Sequence, residues 1–329
     1  MKHAASLVAV LAALAACSSR PAAPQREQEA VQASVAASPS PNAPVAPAAK
    51  PGDVRDFTLG EFAATALRDG TLTFPNDNKV FGIGHTPAEV AAVLSSEGQP
   101  TDHLELSLQP LLIRTEQRLM LFDTGAGNNF GPAAGRLLQS MAEAGFAPVA
   151  VTDIFISHAH GDHVGGLVNA AGELNFPNAV IHMSAPEWAY LKGMTAEAAT
   201  NNGIKQHDAL VAAITPKVAT FAPDAEVVPN VVKAVAIRGH TPGHTGYRIS
   251  ARRIALLYVG DAVHHFVVSV RKPEWPNGFD GDQATAQASR SNLLSDLART
   301  GQLVYAVHFP FPGLGKIQRK GDGYVWVAK

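Results

Sequence analysis

The chain has 329 residues, 46% hydrophobic and 16% charged, and its 26 basic and 28 acidic side chains give a formal net charge of −2. That is enough to bury one large core or two small ones, and with no Lys/Arg-rich stripe the sequence excludes nucleic acid as a partner. A single cysteine excludes an intramolecular disulfide and any cysteine-based metal site in the body of the protein.

Lys2 precedes a small, apolar run from Ala4 to Ala16, broken only by Ser6 and too short to span a bilayer as a permanent helix. It ends in Leu14-Ala15-Ala16-Cys17, which resembles the lipobox of bacterial lipoproteins. Such a signal is cleaved to leave Cys17 as the lipidated N-terminus. An ordinary secretory signal with a spare Cys17 is the alternative. Ser18 then implies an exported protein, periplasmic or outer-membrane, of a Gram-negative bacterium. From Ser18 to about Pro51 the chain is Ala, Pro, Ser and Gln with almost no large apolar side chains, which cannot offset the entropy of ordering. The expected organisation is a signal peptide over 1–16, a disordered tether over 17–52 that binds the membrane through its lipid, and a folded domain over 53–329.

In the domain, Phe62 to Leu67 and Thr71 to Phe74 around Asp69-Gly70 predict a hairpin. Leu108 to Arg114 and Arg118 to Phe122 predict a second, leading into the loop Asp123-Thr124-Gly125-Ala126-Gly127. A helix is expected over Ala133 to Ala144, stopped by Gly145. Val151 to Ser157 reads as a buried strand that runs directly into His158-Ala159-His160-Gly161-Asp162-His163. Ala179 to Met183 is another strand, followed by a helix capped by Ser184 and carrying Trp188 and Tyr190. Residues 193–216 read as loop plus helix, with a lid as one option. Val231 to Ile237 leads into His240, Ile254 to Val259 into Asp261, and, after a helix over Ala284 to Arg299, Leu303 to Val307 into His308. Strands first, then strands mixed with helices, twice over, suit two sheets packed face to face with helices outside.

Polar residues thus gather on loops at strand ends, where a rigid scaffold aims them. His158 and His160, two apart in extended backbone, point the same way, and Gly161 lets the chain turn before Asp162 and His163. Neutral imidazoles and carboxylates suit two divalent metal ions, zinc or a similar first-row ion. Two ions about 3.5–4 Å apart need a bridging ligand, for which Asp261 is the natural candidate, and water held between them would become a nucleophile near neutral pH.

This order and spacing resembles the metallo-β-lactamase superfamily signature. The resemblance implies an α/β (α+β) fold, the four-layer αββα sandwich, over about residues 56–329. It implies that His158, His160 and His240 hold one ion, that Asp162, His163 and His308 hold the other, and that Asp261 bridges, with Asp162 and Asp261 the catalytic carboxylates. Within the superfamily, the runs from Asp123 to Gly127, Phe130 to Pro132, His163 to Leu167, Phe176 to Val180, Gly239 to Thr245 and His308 to Gly313 look like the methyl parathion hydrolase family. That closer resemblance implies hydrolysis of a neutral small-molecule ester, an organophosphate triester first, with Phe130 in the substrate-binding pocket. A lactonase or aryl esterase is the alternative, ahead of a β-lactamase or a non-catalytic tethered binding protein. A homodimer is left open.

Other residues have plainer readings. His244 is expected to brace its loop, and Asp123 either makes a turn or orients a ligand histidine. His264 and His265 are read as structural, with substrate contact as the alternative. Trp188 and Tyr190 are read as core or rim, and His85, His103, His182 and His207 as surface or core. The glycine-rich loop after Asp123 lacks the spacing and lysine of a phosphate cradle.

Overall fold

In the computed structural model, which describes residues 52–329, the chain opens with β1 (Val54–Leu59) and β2 (Phe62–Leu67) and crosses to β3 (Gly70–Pro75). After α1 (Pro87–Ser95) it returns along β4 (His103–Leu108), then forms β5 (Leu111–Arg114) and β6 (Leu119–Phe122). The helix α2 (Leu137–Glu143) precedes β7 (Asp153–Phe155), the short α3 (Gly161–Val164), β8 (Val180–Ser184), α4 (Ala185–Gly193), α5 (Ala196–Asn201), α6 (His207–Ile214) and β9 (Val218–Phe221). The second half runs through β10 (Glu226–Val228), β11 (Val232–Ala236), β12 (Thr245–Ala251), β13 (Ile254–Tyr258), α7 (Val268–Arg271), α8 (Gln283–Thr300), β14 (Leu303–Tyr305), β15 (Leu314–Lys320) and β16 (Gly323–Ala328). The expected signal peptide, Cys17 and all but the last residue of the expected tether lie outside the described residues.

The strands form one seven-stranded sheet in the order β1-β2-β5-β6-β7-β8-β9 and another in the order β10 to β16, while β3 and β4 pair separately. Alternation along the strands then builds the layers. Leu112, Leu119, Leu121, Ile154 and Ile181 face Leu137 and Met141 of α2, Leu191 of α4 and Leu210 and Ile214 of α6. Their neighbours Leu111, Ile113, Met120, Phe122 and Phe155 face the other sheet at Tyr247, Ile249, Leu256, Tyr258 and Tyr305. On the far side, Leu257, Val304 and Ile317 pack against Leu294 and Leu297 of α8. With both faces covered, β6 and β7 read as continuous apolar runs. This is the αββα sandwich.

The expected hairpin around Asp69-Gly70 is not one. β2 pairs with β1 and β5, and β3 pairs with β4. Neither Asp69 nor Gly70 has the positive φ that a tight two-residue hairpin turn requires. Instead the buried Asp69 carboxylate accepts the backbone N–H groups of Ala126, Gly135 and Leu137 at 2.9, 3.1 and 2.8 Å. The second expected hairpin is present as β5 and β6. The helix expected from Ala133 starts only at Leu137, because Ala134 is extended and Gly135 has a φ of 89°. The last two strands, β15 and the edge strand β16, have no counterpart in the sequence reading: polar residues such as Lys316, Gln318 and Arg319 break up the apolar pattern of β15.

The architecture fixes where a site can form. β6, β7 and β8 run parallel, as do β13 and β14, so the loops leaving their C-terminal ends emerge along a shared edge of each sheet.

Candidate metal centre

The His motif leaves β7 in extended backbone, with His160 at φ −100° and ψ 158°, and turns helical at Gly161. A Cβ on Gly161 would lie 2.1 Å from the Gly203 carbonyl oxygen, so only glycine fits this turn. The change of conformation parts the motif, sending His158 and His160 one way and Asp162 and His163 the other. His240 arrives from the loop between β11 and β12, Asp261 from the end of β13, and His308 from the end of β14.

These side chains meet as two groups. His158, His160, His240 and Asp261 can each offer a ligand atom within 4.8 Å of one another, and so can Asp162, His163 and His308. In the first group His240 Nε2 lies 3.1 Å from His158 Nε2 and 3.0 Å from His160 Nδ1. Asp261 divides its oxygens: Oδ1 lies 3.2 Å from His163 Nε2 and 3.0 Å from His308 Nε2, and Oδ2 lies 3.5 Å from His240 Nε2 and 3.7 Å from His158 Nε2. Asp162 Oδ2 is 3.5 Å from His308 Nε2 and 3.6 Å from His163 Nε2.

The outer nitrogens settle what the inner ones can do. His163 Nδ1 is 2.7 Å from the Asp123 carboxylate, His240 Nδ1 is 3.1 Å from Asp280 and His308 Nδ1 is 3.0 Å from the Ser107 carbonyl oxygen. Each of these acceptors takes the Nδ1 proton, which turns the Nε2 lone pair toward the centre. His158 Nδ1 reaches Ser157 Oγ at 3.0 Å, and that hydroxyl donates onward to Asp123 at 2.6 Å.

Electrostatics agree with a cation site. Burial, reinforced by the neighbouring imidazoles, pushes His160 down to about 3 and His240 down to about 4, and holds His158 well below its ordinary value. These three rings are neutral at pH 7 and offer lone pairs. Burial also opposes charge on His163, yet Asp261, Asp162 and Asp123 together hold it well above its ordinary value. The carboxylates of this half draw in positive charge. His163 Nε2 and Asp261 Oδ1 are buried and lack hydrogen-bond partners among the described residues. A tetrahedral ion about 2.0–2.1 Å from each nitrogen holds those nitrogens roughly 3.3 Å apart. The observed spacings are close to that, and the residues fit a pair of divalent ions.

A surrounding shell fixes the loops. The Asp123 carboxylate accepts from Ser157 N–H at 2.7 Å and from the Tyr258 hydroxyl of the opposite sheet at 2.7 Å. Asp280 pairs with the buried Arg290 at 3.1 Å. The Asp261 backbone N–H donates to His244 Nε2 at 2.9 Å, and His244 Nδ1 donates to the Ile237 carbonyl, so His244 braces Asp261 itself. Glu187 is fully buried and accepts from Ala159 N–H at 2.7 Å, Thr241 Oγ1 at 2.8 Å and Gly243 N–H at 2.8 Å. It ties the His158–His163 loop to the His240 loop, and burial pushes it up to about 7.

All seven expected ligand positions are brought together. Phe130 is half-buried beside Leu108, Ala126 and Ala134, and its ring lies against Gly203. Trp188 and Tyr190 pack on the outer core, and His265 accepts the backbone N–H groups of Val267 and Val268. His264, read as structural, instead places Nε2 3.2 Å from Asp261 Oδ2. Glu187 and Asp280 went unnoticed. Ser184-Ala-Pro-Glu187 has the form of a helix-capping box, yet only its Ser184 half is made and the Glu187 side chain turns toward the metal loops. Asp280 carries no local signal, because its partner Arg290 lies two helical turns into α8.

The family model for the metallo-beta-lactamase superfamily matches residues 110–308. Comparison with curated proteins finds no match. Among solved structures the chain is similar to AidC, a dizinc quorum-quenching lactonase in complex with a product, N-hexanoyl-L-homoserine. The two share 31% identity over 84% of this chain and 97% of that one, with a TM-score of 0.79. It is also similar to AbOPH, a hydrolase in the beta lactamase superfamily, at 26% identity over 85% of this chain and 99% of the other, with a TM-score of 0.76. A quorum-quenching N-acyl homoserine lactone lactonase, at 22% identity over 79% of this chain and all of the other, shares the fold with a TM-score of 0.54.

Proposed function

The chain belongs to the metallo-β-lactamase superfamily, and from that premise we propose that this metal-dependent hydrolase opens a neutral ester-type bond, with a lactone as its native substrate class. The observation that carries the reading is the division of the Asp261 oxygens between two groups of imidazoles whose lone pairs face inward. Likeness to a dizinc lactonase supports the choice of lactone. Phosphotriester hydrolysis is the second reading, favoured by the resemblance of the loop motifs to methyl parathion hydrolase.

Two divalent ions, when bound, supply an activated water and polarise the attacked centre. His158, His160 and His240 would hold one, Asp162, His163 and His308 the other, and Asp261 both. Asp162, whose side chain keeps 13% exposure and whose Oδ2 faces His163 and His308, would take the proton released on attack on its other oxygen and return it to the departing oxygen. Phe130 lines the substrate's apolar arm. A lipidated Cys17 presents the domain at the membrane; exchanging Cys17→Ser should move the protein from the membrane to the soluble fraction.

The test combines metal analysis with a substrate panel: N-hexanoyl homoserine lactone, dihydrocoumarin, a paraoxon-like triester and nitrocefin. Two ions per chain and fastest turnover of the lactone are expected. Faster triester cleavage would exchange the two readings, and near-normal turnover by a metal-depleted His160→Ala variant would overturn both.

A further inference from the structure

In the β3–β4 pair, Thr71, His103, Glu105 and Ser107 share one face, opposite to that of Leu104 and Leu106. The polar face borders a cavity of about 390 Å³, a size that holds small ligands. None of the seven metal-ligand residues lines it. Its nearest tie to them is Ser107, whose carbonyl oxygen receives His308 Nδ1.

Two features of the lining point to a ligand. The first is His265, which is 3% exposed. Its Nδ1 accepts the backbone N–H groups of Val267 and Val268, both at 3.2 Å, so the ring proton sits on Nε2. That Nε2–H meets no acceptor among the described residues, yet it is not a sealed atom, so it opens on the cavity that the ring lines. A donor held this deep calls for an acceptor. The second feature is Arg68, whose guanidinium stacks 4.5 Å from the centre of the Phe311 ring. Its Nε lies 3.5 Å from Asp53 and is buried without a hydrogen-bond partner among the described residues. Asp53 also serves Arg136 at 3.3 Å, so one carboxylate faces two guanidinium groups and positive charge is left over. Glu105 stands at the rim, 63% exposed. Leu94, Pro100, Phe266 and Pro310 make the remaining walls apolar.

We propose that this cavity binds a small carboxylate with a short apolar body. The carboxylate accepts the His265 Nε2–H in the field of Arg68, and the carbon chain lies along Phe266 and Pro310. Both donors favour an acceptor that carries charge, and the apolar walls reward a carbon body that an inorganic anion lacks. The site stands apart from the metal centre and does not need the hydrolase reading.

The test uses the full chain loaded with zinc. Crystals soaked in 5-bromopentanoate should show bromine in the cavity by anomalous scattering, beside any at the metal ions. In solution, two-site calorimetry with hexanoate separates the cavity from the ions. His265→Asn sets an amide oxygen where Nδ1 accepts and removes the Nε2 donor. It should weaken the cavity event about tenfold, as should Arg68→Gln, while binding at the ions keeps its affinity. Hexanamide, which is uncharged, should bind the cavity about tenfold more weakly than hexanoate. Bromine confined to the metal ions, wild-type affinity in either variant, or equal binding of hexanamide and hexanoate would overturn the proposal.

Discussion

The two halves of the metal centre solve one problem by different means. Each must keep a histidine proton on the outer nitrogen. In the half built on His158, His160 and His240, the acceptor is Asp280, whose charge is balanced by Arg290 at 3.1 Å. In the half built on Asp162, His163 and His308, it is Asp123, surrounded by the neutral donors Ser157 and Tyr258. The first is an ion pair that costs much to break from one side. The second is a hydrogen-bonded hub whose donors are individually cheaper to strand. Equal roles toward the metals therefore come with unequal roles in the fold.

The strongest way to erase the contrast is to remove what the halves share. Asp261→Ala should lower turnover to below about a thousandth of wild type and leave fewer than two ions per chain by metal analysis. Asp280→Ala sharpens the contrast: with Arg290 left buried and unpaired, about 3–5 kcal/mol of stability should be lost in urea titration, beside a roughly 10–100-fold loss in metal affinity. Asp123→Ala should cost a comparable factor in affinity but only about 1–3 kcal/mol of stability. Equal destabilisation by the two variants would break the comparison.

The smallest effect concerns the link across the halves. Glu187 is pushed up to about 7 by burial, above its ordinary 4.5. The folded state therefore keeps the proton through a window in which the unfolded chain has lost it, and the stability linked to this group falls as pH climbs from about 4.5 to about 7. Glu187→Gln removes that titration. Its urea midpoint should fall less steeply than that of wild type between pH 5 and 8, and parallel profiles would show that Glu187 does not titrate there.

The site was legible where chemistry and chain order coincide. His158 to His163, His240, Asp261 and His308 each follow a strand, and the strands could be read from apolar runs such as Ile254 to Val259. The sandwich followed from the same runs, because strands covered on both faces lose their alternation. What escaped depends on partners distant in sequence. Asp69-Gly70 has hairpin composition, yet Asp69 is held by N–H groups more than fifty residues away. Glu187 looks like a capping residue until the His240 loop is seen beside it. His264 could not be distinguished from a structural histidine, because its place beside Asp261 depends on Asn277, thirteen residues further on, which meets its Nδ1.

Residues 193–216, expected as loop plus helix with a lid as one option, hold α5 and α6, and the packing of the turn between those helices bears on that option. The Asn202 carbonyl receives the Gly161 N–H at 2.8 Å, Lys205 N–H reaches the Asn129 side chain at 3.2 Å, and the Phe130 ring rests on Gly203. A flap that swung open here would tear the backbone of the metal-binding turn, so the segment behaves as a splint. Anyone reshaping this wall to admit a bulkier substrate will find that specificity and metal retention change together.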